Sequence, residues 1–301
     1  MTLGAEFAKG RLLVVAFEGW NDAGEAASGA VKTLKEQLEV ETLMAIEPED
    51  YFDYQFNRPT IGFDDDGKRV LVWPSVTMYG PNDADATEES VYLLVGTEPS
   101  RGWKTFTTEV LDAIVANGIT GVVFLGAMLA DVPHTRPISV FTSSENPDVR
   151  DQFTLERSTY EGPVGILSVL ADAAETSGVP TVTIWASVPH YVHNAPSPKA
   201  TLALIDKLEE IIDVVIPRGE LVDEATAWET GIDALASDDD DMSSYIEQLE
   251  QARDTVDSPE ASGDAIAQEF ERYLQRGDEG KPDNGKPDNG TAGDEPWKPK
   301  D

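Results

Sequence analysis

The chain has 301 residues, with 22 Lys and Arg against 57 Asp and Glu, a formal net charge of −35. A surface that acidic repels phosphate backbones and anionic headgroups, and no local basic patch relieves it, so neither nucleic acid nor membrane is expected as a partner. Without cysteine there is no disulfide and no thiolate metal site, and the length suits one large α/β domain with a smaller appendage.

Residues 11 to 17, RLLVVAF, are an apolar run too short for a helix, so they read as a buried strand, and not as a signal peptide or membrane span. A soluble, cytoplasmic protein is the expectation. EGWNDAG (18 to 24) breaks the strand, and Ala26, Ala27, Ala30, Val31, Leu34 and Leu38 then recur at helical spacing from Ala23 to Leu38. Strands are predicted at 41 to 46, 68 to 76 and 91 to 96. A helix from Trp103 to Asn117 leads to a strand at 121 to 129. A second cycle predicts a helix at 168 to 178 and a strand at 179 to 188. A helix at 197 to 213 follows, with Ser197 as N-cap and Pro198 in its first turn. Continuous apolar strands alternating with helices imply an α/β/α core with a mainly parallel sheet.

That core is expected to span residues 1 to 218. Beyond it, an acidic helical subdomain at 219 to 276 is predicted from three amphipathic stripes: Glu220 to Ala236, Asp238 to Val256, and Ser262 to Arg276. The acidic run Asp238 to Asp241 falls at a helix start, where carboxylates oppose the macrodipole. Residues 277 to 301 carry the repeat GKPDNGKPDNG and read as a disordered tail.

EGWNDAG (18 to 24), LGAMLADVPHTRPISV (125 to 140) and WASVPHYVHNAPSPKA (185 to 200) each follow a predicted buried strand, and the latter two hold all three histidines. In open α/β sheets the carboxyl ends of parallel strands line the ligand crevice. The candidate ligand-binding residues are therefore Trp20, Asn21, Asp22, Asp131, His134, Arg136, Tyr160, His190 and Tyr191. One reading is an anion or nucleotide pocket with Arg136 as a fork, although neither GxGxxG nor a Walker lysine is present. A metal site at His190 and His193, joined by His134 and Asp131, is opposed by the extended segment between Pro189 and Pro196. Acid/base work by His134 with Asp22 or Asp131 is a third reading, and no GxSxG elbow supplies a nucleophile. The bland reading makes Asn21 and Asp22 helix caps, Trp20 a filler under the sheet, and the histidines donors to backbone carbonyls. No cofactor and no metal is expected.

GWNDAG (19 to 24), DVPHTRP (131 to 137), YEGPVGI (160 to 166), PHYV (189 to 192), NAPSPKA (194 to 200) and SGDAIAQEFERYL (262 to 274) resemble the proteasome assembly chaperone 2 family in its actinobacterial branch, over about residues 8 to 276. The resemblance implies a phosphorylase/hydrolase-like α/β/α fold, self-association with a trimer as the suggested number, and no established catalytic activity. It also implies proteasome-related subunits as partners, because eukaryotic and archaeal relatives bind such subunits during assembly. The ending WKPKD departs from the hydrophobic-Tyr-X tail some of these chaperones use, so the expected docking surface is the folded domain. Two functions follow: a non-enzymatic, homo-oligomeric assembly factor, or a small-molecule binder or enzyme for a nucleoside or phosphate-type ligand at the carboxyl edge of the sheet.

Overall fold

A computed structural model describes residues 7–38, 40–64, 66–82, 86–87 and 89–257. By compactness the chain divides into two units, Met1–Gln251 and Ala252–Asp301. The third expected helix, at 262 to 276, and the tail lie outside the described residues.

The first unit is built on a seven-stranded sheet in the order β2-β5-β6-β1-β7-β9-β8. Its strands are β1 (Leu12–Glu18), β2 (Glu41–Ile46), β5 (Val76–Gly80), β6 (Val91–Thr97), β7 (Gly121–Ala130), β8 (Val140–Ser143) and β9 (Thr181–Pro189); β3 (Thr60–Phe63) and β4 (Arg69–Val72) form a separate two-stranded ribbon. β1 runs parallel to β6 and β7, and β7 parallel to β9, whereas β5 and β8 run opposite to their neighbours. The sheet is therefore mainly parallel.

Strand side chains alternate between faces, and β1 divides its own between two cores. Leu12, Val14 and Ala16 join α1 (Ala26–Gln37), α5 (Pro198–Ile212) and Val149 of α3 (Pro147–Phe153) on one face. Leu13, Val15 and Phe17 join α2 (Trp103–Ala116) and α4 (Ile166–Thr176) on the other. Two helical layers thus enclose the sheet, which explains why its central strands read as near-continuous apolar runs rather than alternating ones. Beyond them α6 (Leu221–Ser237) packs along α5, and α7 (Asp240–Asp257) follows. Asp239 caps α7: its Oδ1 accepts from the Asp241 and Met242 N–H groups at 3.0 and 3.1 Å.

Three features differ from the sequence reading. The stretch 68 to 76, expected as one strand, breaks at Pro74 into β4 and β5, because proline offers no N–H to carry a ladder through. β3, β8 and α3 are too short to leave a periodic signal; β8 is an edge strand fastened antiparallel to β9. The α4 helix begins at Ile166 rather than at residue 168, since its N-terminus is held by a carboxylate distant in sequence.

Candidate functional site

The carboxyl ends of β6, β1, β7 and β9 lie along one rim, with Glu18 abreast of Thr97 and Ala130 abreast of Pro189. The loop after β1 is drawn to β7 by a bridge between Asp22 and Ala127, whose N–H donates to the Asn21 carbonyl at 2.8 Å. The predicted site residues fall into two groups along this rim.

Asn21, Asp22, Trp20 and Tyr160 form the first. Asp22 is 7% exposed, and its Oδ1 accepts from the Ala27 and Ser28 N–H groups at 2.8 and 3.1 Å, closing the start of α1. Gly24 takes a left-handed conformation (φ 59°) to make this turn, and Ser197 packs where a Cβ would stand. Burial pushes the Asp22 carboxyl above its ordinary range, while hydrogen bonds from Ser28 and Ala27 act the other way. Its Oδ2 has no partner. Asn21 donates from Nδ2 to Glu98 Oε1 at 3.2 Å, and the same oxygen accepts the Ile166 N–H at 2.8 Å. Glu98, just past β6, thus ties the first loop to the YEGPVGI segment, where Gly165 packs directly against the Asn21 amide. Trp20 is 64% exposed, so it does not fill a gap under the sheet; Tyr160 is 63% exposed and donates to the Pro163 carbonyl at 3.0 Å.

Asp131, His134, Arg136, His190 and Tyr191 form the second group, and α6 and α7 lie against it. His134 is fully buried. The Tyr191 hydroxyl oxygen accepts the His134 N–H at 2.7 Å and lies 2.8 Å from Nδ1, while Nε2 lies 3.0 Å from Asp233 Oδ1 on α6. In the neutral tautomer that suits an ionised Asp233, the ring donates from Nε2 to Asp233 and Nδ1 accepts a hydrogen bond from the tyrosine hydroxyl. Lys199 fastens the same loop, donating to the His134 carbonyl and to Glu229 of α6, both at 2.5 Å. Arg136 approaches Glu250 of α7 at 3.4 Å, and Thr135 donates to that same carboxylate. His190 Nδ1 lies 3.2 Å from Asp131 Oδ1 as an ion-pair approach without hydrogen-bond alignment, and its ring stands edge-on to Tyr191 and Tyr245.

Tyr191, His134 and Asp233 form a hydroxyl–imidazole–carboxylate chain of the kind that activates nucleophiles. Its electrostatics run the wrong way for that task. Burial foremost, then the neighbouring Tyr245, Glu250 and Asp233, push the Tyr191 hydroxyl up to about 12, with only the His134 N–H acting the other way. Burial and Asp131 likewise raise Tyr245. The pairing of His134 with Asp22 or Asp131 is corrected: its carboxylate is Asp233, and Asp131 faces His190. The extended reading of 190 to 193 is corrected too, since His190–Val192 is a 3-10 turn and His193 Nδ1 meets the His190 carbonyl at 2.7 Å. Ser197 is the N-cap of α5 by position only; its hydroxyl caps nothing, and Oγ is buried without a partner. Among the described residues no group of three or more His, Asp or Glu is placed to hold a metal ion.

Sequence reasoning missed Glu98, Lys199, Asp233, Tyr245 and Glu250. Glu98 stands in the loop after β6, a fourth carboxyl end on the same rim. Asp233 and Glu250 sit on faces that the apolar stripes of α6 and α7 left as solvent, whereas Tyr245 belongs to the apolar stripe of α7.

The PAC2 family model matches residues 16–236. Among solved structures, a PAC2 family protein from Streptomyces avermitilis is 44% identical, with a TM-score of 0.70 over 78% of this chain and 99% of that one. A proteasome-assembly chaperone homologue from Mycobacterium tuberculosis is 41% identical, with a TM-score of 0.69 over 78% and 99%. The archaeal proteasome activator from Pyrococcus furiosus shares the fold at 12% identity, with a TM-score of 0.60 over 75% and 93%. No curated protein matches. Fold, motifs and these likenesses agree, and the chain belongs to the PAC2 family, the proteasome assembly chaperone 2 family.

Proposed function

We propose that this protein is a non-enzymatic interaction protein: a homo-oligomer, with a trimer as the working number, that acts in the cytoplasm as an assembly factor for proteasome-related complexes. One observation carries the reading. At the rim where a phosphorylase-like enzyme would hold substrate, the titratable side chains are engaged with one another and with α6 and α7, whereas large apolar side chains there stand in solvent. Asp22 is a helix cap, His134 is sealed, and Arg136 and Lys199 meet carboxylates. Trp20 and Tyr160 remain exposed, as recognition surfaces require. The likeness to a mycobacterial proteasome-assembly chaperone homologue supplies the partner class.

The test adds the purified chain to separately purified actinobacterial proteasome α and β subunits and follows ring assembly by native gel. Faster assembly, with the chain bound to an intermediate and absent from the mature particle, supports the proposal. An unchanged rate with no bound intermediate removes it.

The second reading, a small-molecule binder, draws on the buried, unpartnered Asp22 Oδ2 and Ser197 Oγ. Thermal-shift screening against nucleosides, nucleotides and phosphate addresses it: a stabilisation abolished in Asp22→Asn and Ser197→Ala favours this reading, and a flat screen favours the interaction protein.

A further inference from the structure

The two helices after the core are attached in different ways. α6 lies along α5 and buries Leu221, Ala225, Ile232 and Ala236. In α7 the buried side chains, among the described residues, are Ile246 and Leu249. Tyr245, Ile246, Leu249 and Glu250 fall three and four residues apart, so they share one face of that helix. From this face the half-buried Tyr245 ring stands edge-on to His190 and Tyr191, with centroids 5.6 and 6.2 Å away. The Glu250 carboxylate beside it meets Arg136 at 3.4 Å and the Thr135 hydroxyl. Both sets of contacts go to the rim loops, 131 to 137 and 189 to 197.

Charge explains why an acidic helix rests there. Between Leu221 and Gln251 the sequence holds ten acidic residues and no basic one. The two rim loops carry Arg136 and the three histidines, with Asp131 as their one carboxylate, turned to His190. An acidic helix face therefore finds a guanidinium, a hydroxyl and two rings, in place of the like charge that prevails in a chain of net charge −35.

The joint that delivers α7 to this place is short and strained by charge. Asp238 and Asp239 alone separate the helices, inside the run Asp238–Asp241. Asp239 and the carboxylates after it suit the start of α7, but Asp238 closes α6, where a carboxylate meets the negative end of the helix. The match to the PAC2 family model ends at residue 236, so α7 stands outside the matched span.

We propose that the Arg136–His190–Tyr191 face of the rim is a docking site for an acidic amphipathic helix of a partner protein, and that α7 fills it until such a helix displaces it. The partner helix presents an aromatic and an aliphatic side chain one turn apart with a carboxylate alongside, as Tyr245, Leu249 and Glu250 do. This rests on the reading of the protein as one that works through its surfaces, and it names one of them. Its test contains no proteasome subunit, so it and the ring-assembly test fail separately.

The test compares the full-length wild type with a full-length variant, Tyr245→Ala with Leu249→Ser and Glu250→Gln, which loosens α7 and leaves the rim loops unchanged. The probe is a fluorescein-labelled peptide with the sequence of residues 238–257, followed by anisotropy, and circular dichroism reports that the variant is folded. In the wild type the tethered α7 competes at high effective concentration, so the variant should bind the peptide about ten-fold more tightly or better. Arg136→Ala added to the variant should weaken that binding about ten-fold, and a peptide of the same composition in scrambled order should not bind. Equal binding by wild type and variant, no binding by the folded variant, equal binding of the scrambled peptide, or indifference to Arg136→Ala each overturns the proposal. Amide exchange of the wild type is a check that needs no variant. Residues 244–251 should exchange about ten-fold faster than the buried turns of α6, and equal protection would make α7 a fixed part of the fold and overturn the proposal.

Discussion

Replacing Asp22 by alanine separates a structural carboxylate from a reactive one. The substitution strands the Ala27 and Ser28 N–H groups, both wholly buried, that now share Asp22 Oδ1. Loss of such a cap costs about 0.5–2 kcal/mol, and leaving a buried donor unmet about 1–3 kcal/mol. These overlapping costs give about 2 kcal/mol for Asp22→Ala, or a drop of about 4–8 °C in Tm for a unit of this size. Asparagine keeps an acceptor at Oδ1 and removes a carboxylate that burial disfavours, so Asp22→Asn should melt close to wild type. The pH dependence has a definite sign. Because the folded carboxyl is held above its ordinary value, its contribution favours the fold while protonated and is lost as pH rises through the folded pKa. Asp22→Asn should therefore match wild type in acid and gain on it towards neutrality. Calorimetry across pH 4–7 is the assay, the window set roughly by the upward shift. If Asp22→Ala were as stable as wild type, or Asn as damaging as Ala, the cap assignment would fail and a role for the charge itself would return.

His134→Ala removes the group that joins Tyr191 to Asp233, and should cost about 2–4 kcal/mol; amide exchange should rise in α6 before the central strands. Equal protection in both regions would mean that the histidine does not hold that helix. A Cβ at Gly96 would lie 2.0 Å from the Ser75 carbonyl oxygen, a backbone atom that cannot step aside, so Gly96→Ala should lower stability by about 1–3 kcal/mol in urea denaturation. Hydrogen bonds from Arg218 and from the Ile216 N–H hold the Glu209 carboxyl down at about 2. Because this pKa is lowered, the associated stability is present above the ordinary glutamate value and is lost as pH falls towards 2. Arg218→Ala should move the Glu209 carboxyl titration, followed by NMR, back towards its ordinary range.

The α/β/α core was legible because both faces of its central strands are buried. β1, β6, β7 and β9 read as near-continuous apolar runs, and α1 and α5 carry apolar residues at helical spacing. The ribbon was not legible. Its Ile61, Phe63 and Leu71 look like core residues in sequence, and the break at Pro74 alone parts Leu71 on β4 from β5. At the rim, strand ends drew attention to Trp20, His134 and His190, and parallel strands bring those loops to one edge. What the histidines touch could not be read, because their partners lie far off in sequence: Asp233, 99 residues from His134, sits on a polar helix face that passes for solvated surface, and Tyr245, beside His190, sits in an apolar stripe that passes for packing alone. Trp20 shows the converse: an aromatic beside a buried strand suggested filler, whereas Gly19, at φ 120°, lets the chain turn and leave the ring in solvent.

The central claim is that this PAC2 protein works through its surfaces. Sedimentation velocity of the full chain, alone and with purified proteasome α subunits, tests it most directly. The prediction is a self-associated species heavier than 32.7 kDa and a second boundary in which chain and α subunit move together. A single monomeric boundary, unchanged by the α subunits, would contradict it.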